Sequence, residues 1–220
     1  MQKHAMDNVK LKIQKKFMRR ARIMATILSF SPFVRMIALT GSLARGEAKE
    51  KSDIDFFVVL KSGRLWTGRA FVSLLAHLTG LRRYNKKIAG RICLNCYQTE
   101  NHLTIGPKNI KNAKDYSNIK ILYQTEKLAE KFIKANQWIV DRGYQFQNID
   151  VGIRRGNIVA IIRWFFEVLY ELIFNGWGEN YLRTYQIRRI LKNPLTAAPS
   201  KTQIFISDQE LRFHPRKTPS

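Results

Sequence analysis

Cysteine is scarce in this sequence, with only Cys93 and Cys96 among 220 residues. Two thiols are too few to form the disulfide framework of a small secreted protein. Residues 1–16 are basic and lack the apolar stretch of a secretory signal peptide. These absences argue against a disulfide-stabilised secreted scaffold, so we expect a cytoplasmic protein.

Acidic residues are also few. The chain has 16 Asp and Glu against 39 Lys and Arg, which gives a formal net charge of +23. Such a field attracts polyanions, so nucleic acid, nucleotides, acidic proteins and anionic membrane surfaces all fit as partners. The charge alone does not establish nucleic-acid binding. The hydrophobic content of 45% is enough for one or two compact domains with a core.

Two of the few aspartates, Asp53 and Asp55, stand directly before or at the start of the apolar run 56–60. This β-branched and aromatic run predicts a buried strand. Alternate residues of a strand share a face, so the two carboxylates project together, about 7 Å apart along the chain. A hard divalent cation relieves their repulsion, because Mg²⁺ binds carboxylates together with substrate phosphates. Asp53 and Asp55 are the predicted metal ligands and catalytic residues.

A second apolar run, residues 34–39, predicts a strand that ends in a tight turn at Gly41 and Ser42. Gly41 permits a positive φ and lets a phosphate approach the backbone, while Ser42 and the following N–H groups can donate to its oxygens. Arg45 either adds a cationic contact to a nucleotide or faces solvent. The competing interpretation is a hairpin-like turn with two solvated aspartates at a strand end.

The pair Gly41-Ser42, then ten residues, then Asp53-Ile54-Asp55 resembles the signature of nucleotidyltransferases of the DNA polymerase beta superfamily. It looks closest to the minimal and antibiotic-modifying branches, and Arg45-Gly46 and Ser52 also fit. The resemblance covers roughly residues 25–105. It implies an α+β fold, with a small mixed sheet flanked by helices, followed by an α-helical C-terminal region that forms one wall of a cleft.

The same resemblance implies transfer of a nucleoside monophosphate from an NTP to an acceptor, with release of pyrophosphate. Asp53 and Asp55 would hold Mg²⁺ or Mn²⁺, and Gly41, Ser42 and Arg45 would bind the nucleotide. The acceptor is open and can be a protein, an RNA or a small molecule.

The strand expected at residues 92–99 commonly carries a third carboxylate in the resembled family. This chain has Asn95 there, a possible third site position, and Glu100 at the strand's end is a possible substitute. An amide oxygen binds Mg²⁺ weakly and cannot act as a general base. The alternative function is therefore a catalytically weak or inactive protein of this fold that binds nucleic acid or nucleotides. An antitoxin-like protein that modifies or sequesters a partner protein is a third possibility.

Two other groups of residues are expected to have no direct functional role. Cys93 and Cys96 lie three residues apart, which on a regular strand places them on opposite faces, as buried structural thiols. The loop from Arg82 to Arg91 carries five basic residues and no acidic one. A solvated loop is favoured there over a contact with phosphate or nucleic acid.

The chain divides into an N-terminal amphipathic helix over residues 1–30, a nucleotidyltransferase domain over 31–106, a helical region over 118–192 and a flexible tail over 193–220. A surface linker is expected from Gly106 to Asp115, helical structure over 118–141, and one short ordered piece of the tail near Ile204 to Phe213.

Residues 158–177 form the most apolar segment. Three charged residues at four-residue spacing would be costly in lipid, so a packed helix is favoured over a membrane span. Its large side chains are expected to bury against the other C-terminal helices, or alternatively to form a homo-oligomer or partner-protein interface. The charged residues are Arg163, Glu167 and Glu171, and the large side chains are Trp164, Phe165, Leu169, Leu172 and Ile173.

Overall fold

The computed structural model describes residues 2–83, 87–147, 157–174, 176–193 and 202–215. Its helices are α1 (Gln2–Leu28), α2 (Gly41–Ala44), α3 (Leu65–Leu78), α4 (Ile110–Ser117), α5 (Leu128–Ala135), α6 (Trp138–Asp141), α7 (Asn157–Phe174) and α8 (Trp177–Lys192). Its strands are β1 (Val34–Thr40), β2 (Ile54–Leu60), β3 (Ile92–Thr99), β4 (Lys120–Gln124), β5 (Thr202–Ile206) and β6 (Glu210–Pro215).

The six strands form one mixed sheet in the order β4-β1-β2-β3-β6-β5. Only β2 and β3 run parallel, and the other neighbours are antiparallel. Helix α3 connects the parallel pair, as a parallel crossover requires. The architecture confirms the expected α+β fold with a mixed sheet flanked by helices and helices in the C-terminal region.

Helices cover both faces of the sheet, and each face has its own core. On one face α1 and α3 pack on alternate residues of β1 and β2, with Leu28, Ile37, Phe56 and Trp66 fully or almost fully buried. On the other face α4, α5 and α6 cover the intervening residues, including Phe57. Because both faces are covered, β1 and β2 read as continuous apolar runs, which is why the sequence identifies them readily.

Two expectations for the middle of the chain are wrong. Residues 120–124 are not helical but form β4, which pairs with β1. The stretch from Gly106 to Asp115 is not only a surface linker, because α4 begins at Ile110 and buries Ala113 against the sheet. In both places tertiary contacts with the sheet override a weak local pattern.

The ordered piece expected near Ile204 to Phe213 is the hairpin formed by β5 and β6, and β6 pairs with β3. Residues 202–215 therefore belong to the sheet rather than to a flexible tail. The remainder of the predicted tail, 194–201 and 216–220, lies outside the described residues, as do 148–156 of the predicted interruption after α6.

The orientation of α7 is opposite to the expected one. Its charged residues face the domain. Its large apolar side chains are exposed instead, for example Leu169 at 40%, Trp164 at 63% and Phe165 between these values. The end of the sheet where β1 begins and β2 ends offers α7 polar partners, among them Arg35 and Arg64. Among the described helices, none combines the length and apolar character needed to cross a membrane.

Candidate active site

The turn between β1 and α2 lies beside the beginning of β2. Thr40 pairs with Asp55 in the antiparallel register, so the turn at Gly41 meets the Asp55 side chain. Gly41 has a φ of +70°, and a Cβ added to it would lie 2.3 Å from Asp55 Oδ2. Only glycine permits this approach of backbone to carboxylate, since it both tolerates the left-handed conformation and leaves room for the oxygen.

A cluster of three potential ligands forms where β2 and β3 begin. Asp53, Asp55 and Cys93 each offer one ligand atom, and these atoms lie within 4.8 Å of one another. The parallel register pairs Asp55 directly with Cys93, which sets the thiol beside the two carboxylates. Two carboxylates with a thiol fit a divalent cation, the thiol favouring softer ions than Mg²⁺.

The prediction that the two cysteines lie on opposite faces of the strand is wrong. Cys93 pairs with Asp55 and Cys96 with Phe57, which are alternate residues on one face of β2. A register shift between these pairs leaves one extra residue in β3, so both thiols reach the same face. Cys96 is buried in the core and accepts a hydrogen bond from Tyr116, whereas Cys93 lies at the site.

The extra residue of this bulge region is Asn95, whose Nδ2 donates to Asp55 Oδ1 at 3.0 Å. The structure thus places Asn95 against the carboxylate that it was expected to accompany. Glu100 lies elsewhere: its Oε1 accepts from the N–H of Ser62, and its Oε2 is 3.8 Å from Arg35. These contacts are at the opposite end of the sheet, so Glu100 cannot replace a third carboxylate at the site.

Burial, together with the smaller effect of the negative charge of Asp53, raises the pKa of Asp55 to about 7, although the Arg83 guanidinium acts in the opposite direction. Burial and the same two carboxylates raise the pKa of Cys93 to about 12. Both shifts have one physical cause, which is a concentration of negative charge in a poorly hydrated place. A bound cation would favour the ionised forms of all three ligands.

Arg83 supplies a positive charge to this cluster. Its Nη1 donates to Asp53 Oδ2 at 2.7 Å and lies 3.8 Å from Cys93 Sγ. Arg83 is exposed, in agreement with the solvated loop expected over 82–91, but its guanidinium also pairs with Asp53; residues 84–86 lie outside the described part of the chain. The guanidinium neutralises part of the acidic charge and is placed to contact phosphate oxygens that approach the two aspartates.

A cleft of about 990 Å³ is lined by residues of α1, of α2 and of the segment between α2 and β2, including Ser42, Arg45 and Ser52, and its lining does not include the three ligand residues. Arg45 Nε donates to Glu47 at 2.8 Å, and its Nη1 pairs with Asp115. The guanidinium is thus engaged by two carboxylates within the chain rather than fully solvated. Its predicted role in nucleotide binding, like that of Gly41 and Ser42, remains a prediction.

Sequence reasoning missed Cys93, Arg83 and Asp115 at this site. A signal for Cys93 existed, because it stands two positions before Asn95, and on a regular strand such residues share a face. No local signal marks Arg83 among five basic loop residues. Asp115 was placed in a linker, and only the packing of α4 brings it to Arg45.

Comparison with protein families agrees with this geometry. A nucleotidyltransferase domain model matches residues 21–142, which is more than half of the chain and includes α2, β2 and β3. No curated protein and no solved structure matches the chain. The chain therefore belongs to the nucleotidyltransferase domain family, whose general function is nucleotidyl transfer.

Proposed function

We propose that this protein is a metal-dependent nucleotidyltransferase that uses an NTP as donor and releases pyrophosphate. The observation that carries the proposal is the ligand cluster of Asp53, Asp55 and Cys93 directly beside the glycine turn at Gly41. Ser42 and Ser52, which directly follow Gly41 and precede Asp53 in the sequence, line a cleft of about 990 Å³ that is large enough for a nucleotide.

Asp53 and Asp55 would hold the divalent cation, Mg²⁺ or Mn²⁺, with Cys93 or Asn95 beside them. The cation, when bound, would neutralise charge on the triphosphate. The Ser42 hydroxyl and the N–H groups of α2 would bind phosphate oxygens.

The reaction itself is an in-line displacement. An acceptor nucleophile forms a new bond to the α-phosphorus, the bond to the β-phosphate bridging oxygen breaks, and pyrophosphate leaves with that electron pair. The proton of the acceptor passes to solvent, because β3 carries no carboxylate at Asn95 to receive it. Positioning and charge neutralisation supply most of the catalysis in such reactions, so turnover does not require that third carboxylate.

Label transfer from α-phosphate-labelled ATP, CTP, GTP and UTP tests the proposal. Purified protein is incubated with cell extract and Mg²⁺ or Mn²⁺, beside the double variant Asp53→Asn/Asp55→Asn. We expect label on a protein, an RNA or a small molecule, with a loss on the order of 100-fold or more in the variant. Asp141→Asn, an exposed acidic residue of α6, is the matched control and should retain full transfer.

The opposite result would favour the non-catalytic alternative. If no nucleotide gives label, and the wild-type and double-variant proteins bind RNA equally with a steep salt dependence, the basic chain acts as a binding module. The net charge of +23 is the observation that supports this alternative.

A further inference from the structure

Helix α7 presents its charged residues to its own domain. Glu167 accepts hydrogen bonds from Arg35 Nη1 and Nη2 at 2.7 and 2.9 Å and from the N–H of Phe33 at 2.8 Å. Glu171 pairs with Arg64, and Arg163 contacts both Glu167 and the Tyr123 hydroxyl. Every charged side chain of α7 is therefore engaged within the chain.

The outward face of α7 is apolar along its whole length. Its exposed apolar side chains range from 36% exposed at Val168 to 76% at Leu172. Five of them follow alternating spacings of three and four residues, which is the spacing of a seam between packed helices. The seam residues are Ile158, Ile161, Phe165, Val168 and Leu172, and Trp164, Phe166, Leu169 and Ile173 flank them.

This exposed area matches that of a stable protein interface. Three half-exposed aromatic rings and six aliphatic side chains leave about 800 Å² of apolar surface in water, and a standard dimer buries about that much per partner. A separate apolar groove of about 440 Å³ lies between α3, α7 and α8, lined by Phe71, Leu74, Phe174 and Trp177 among others. Aromatic side chains are the usual anchors of such interfaces.

We propose that the outward face of α7 binds the same face of a second copy of this chain, forming a two-fold symmetric dimer. The spacing of the seam selects a helix as the occupant, and a self-complementary apolar face suits a symmetric contact. A membrane-surface helix would carry Lys and Arg along its polar face. Here that face holds one arginine and two glutamates, all turned to the domain.

The proposed interface does not depend on the proposed reaction. Helix α7 contacts Phe33 and Arg64, at the end of the sheet where β1 begins and β2 ends. Asp55 lies at the other end, where it pairs with Thr40. Dimerisation through α7 therefore leaves both candidate active sites open, and label transfer should be the same in monomeric variants.

Light scattering and sedimentation of the full chain test the dimer. Each chain has a mass of 25.7 kDa, so we expect a species of about 51 kDa, twice that value. Introducing charge with Trp164→Glu/Leu172→Glu should weaken the dimer by on the order of 100-fold or more, because one charge would lie in the seam and the other directly beside it. The control Ile110→Glu changes a 64% exposed apolar residue on α4 and should leave the dimer intact.

Folding and contact geometry are checked separately. The double variant should keep the circular dichroism spectrum of the wild type, and its Tm should be that of a folded monomer, since neither side chain is buried in the core. Phe165 stands at the middle of the seam and lies nearest its own copy in a symmetric pair. Phe165→Cys should therefore form an intermolecular disulfide under mild oxidation, whereas Ile110→Cys should not.

Ionic strength separates the dimer from binding to lipid. Two copies of charge +23 repel each other, so added salt should tighten the dimer. Binding to vesicles of anionic lipid should weaken with salt instead. A 25.7 kDa monomer at all concentrations would overturn the proposal. So would a monomer that co-floats with anionic vesicles and loses this binding when Trp164 is replaced, and so would loss of the dimer in Ile110→Glu.

Discussion

Glu167 is the central contact between α7 and the sheet, and its replacement by Gln tests how that helix is oriented. The glutamate and Arg35 side chains are each 11% exposed, and they share two hydrogen bonds. Gln keeps the shape of the side chain and one acceptor oxygen but removes the charge. Among the ion pairs of the described residues, Arg35 then retains the one with Glu100, whose Oε2 is 3.8 Å from its Nε.

Loss of one partner from a buried ion pair costs about 3–5 kcal/mol, because the remaining charge stays desolvated without compensation. Since Glu100 compensates part of the charge, we expect a loss of about 3 kcal/mol in the free energy of unfolding for Glu167→Gln. For a chain of this length that corresponds to a Tm lower by roughly 6–12 °C. Glu171→Gln is the control, because its side chain is 33% exposed and should cost about 1 kcal/mol or less.

The dependence on pH gives a second readout. Burial acts to raise the pKa of Glu167, but the hydrogen bonds and charge of Arg35 and the N–H of Phe33 hold it below its ordinary value of 4.5. A depressed carboxyl pKa contributes stability that is fully present above the unfolded pKa and is lost as the pH falls through the folded one. The difference between wild type and Glu167→Gln should thus be constant near neutral pH and shrink below about pH 4.5.

Urea unfolding followed by circular dichroism measures both effects. A Glu167→Gln protein as stable as Glu171→Gln at neutral pH would refute the buried position of the charged stripe. It would also remove the basis for the outward apolar face of α7.

Two further predictions concern the candidate site. Gly41→Ala should lower transfer by about 100-fold, because its Cβ would displace the Asp55 carboxylate. The control is Gly46→Ala, which has a similar φ of +73° and nothing within 4 Å of the added Cβ, so it should lose comparable stability but keep its transfer activity. Equal transfer activities of the two variants would contradict the reasoning. With Co²⁺ bound, the protein should show a thiolate-to-cobalt absorption band that is lost in Cys93→Ser and retained in Cys96→Ser, since of these two cysteines Cys93 lies within the ligand cluster. A band that is lost in Cys96→Ser instead would exclude Cys93 as a ligand.

The β1–α2–β2 unit could be predicted from the sequence because its signals are local. Two apolar runs, a glycine turn and paired aspartates all lie between residues 34 and 60, and covered strands give continuous apolar patterns. The structure confirms both strands and places Gly41 against Asp55. The nucleotidyltransferase domain model matches residues 21–142, a range that includes this unit.

Contacts made by distant residues were not readable in the same way. Strand β4 has only five residues and acquires its conformation by pairing with β1. The bulge in β3 shifts the strand's alternation, so the faces of Cys93 and Cys96 could not be counted from their spacing. Arg83 is one basic loop residue among several until the fold brings it within 2.7 Å of Asp53.

Helix α7 shows both what the sequence predicts and what depends on tertiary contacts. Its sequence determined that one face would be charged and the other apolar, because that separation follows from helical periodicity alone. Only the tertiary structure decided which face turns inward. Buried Arg35 and the N–H of Phe33 would be costly to leave without an anionic partner, and Glu167 supplies it, so the charged face of α7 turns to the domain and the apolar seam faces outward.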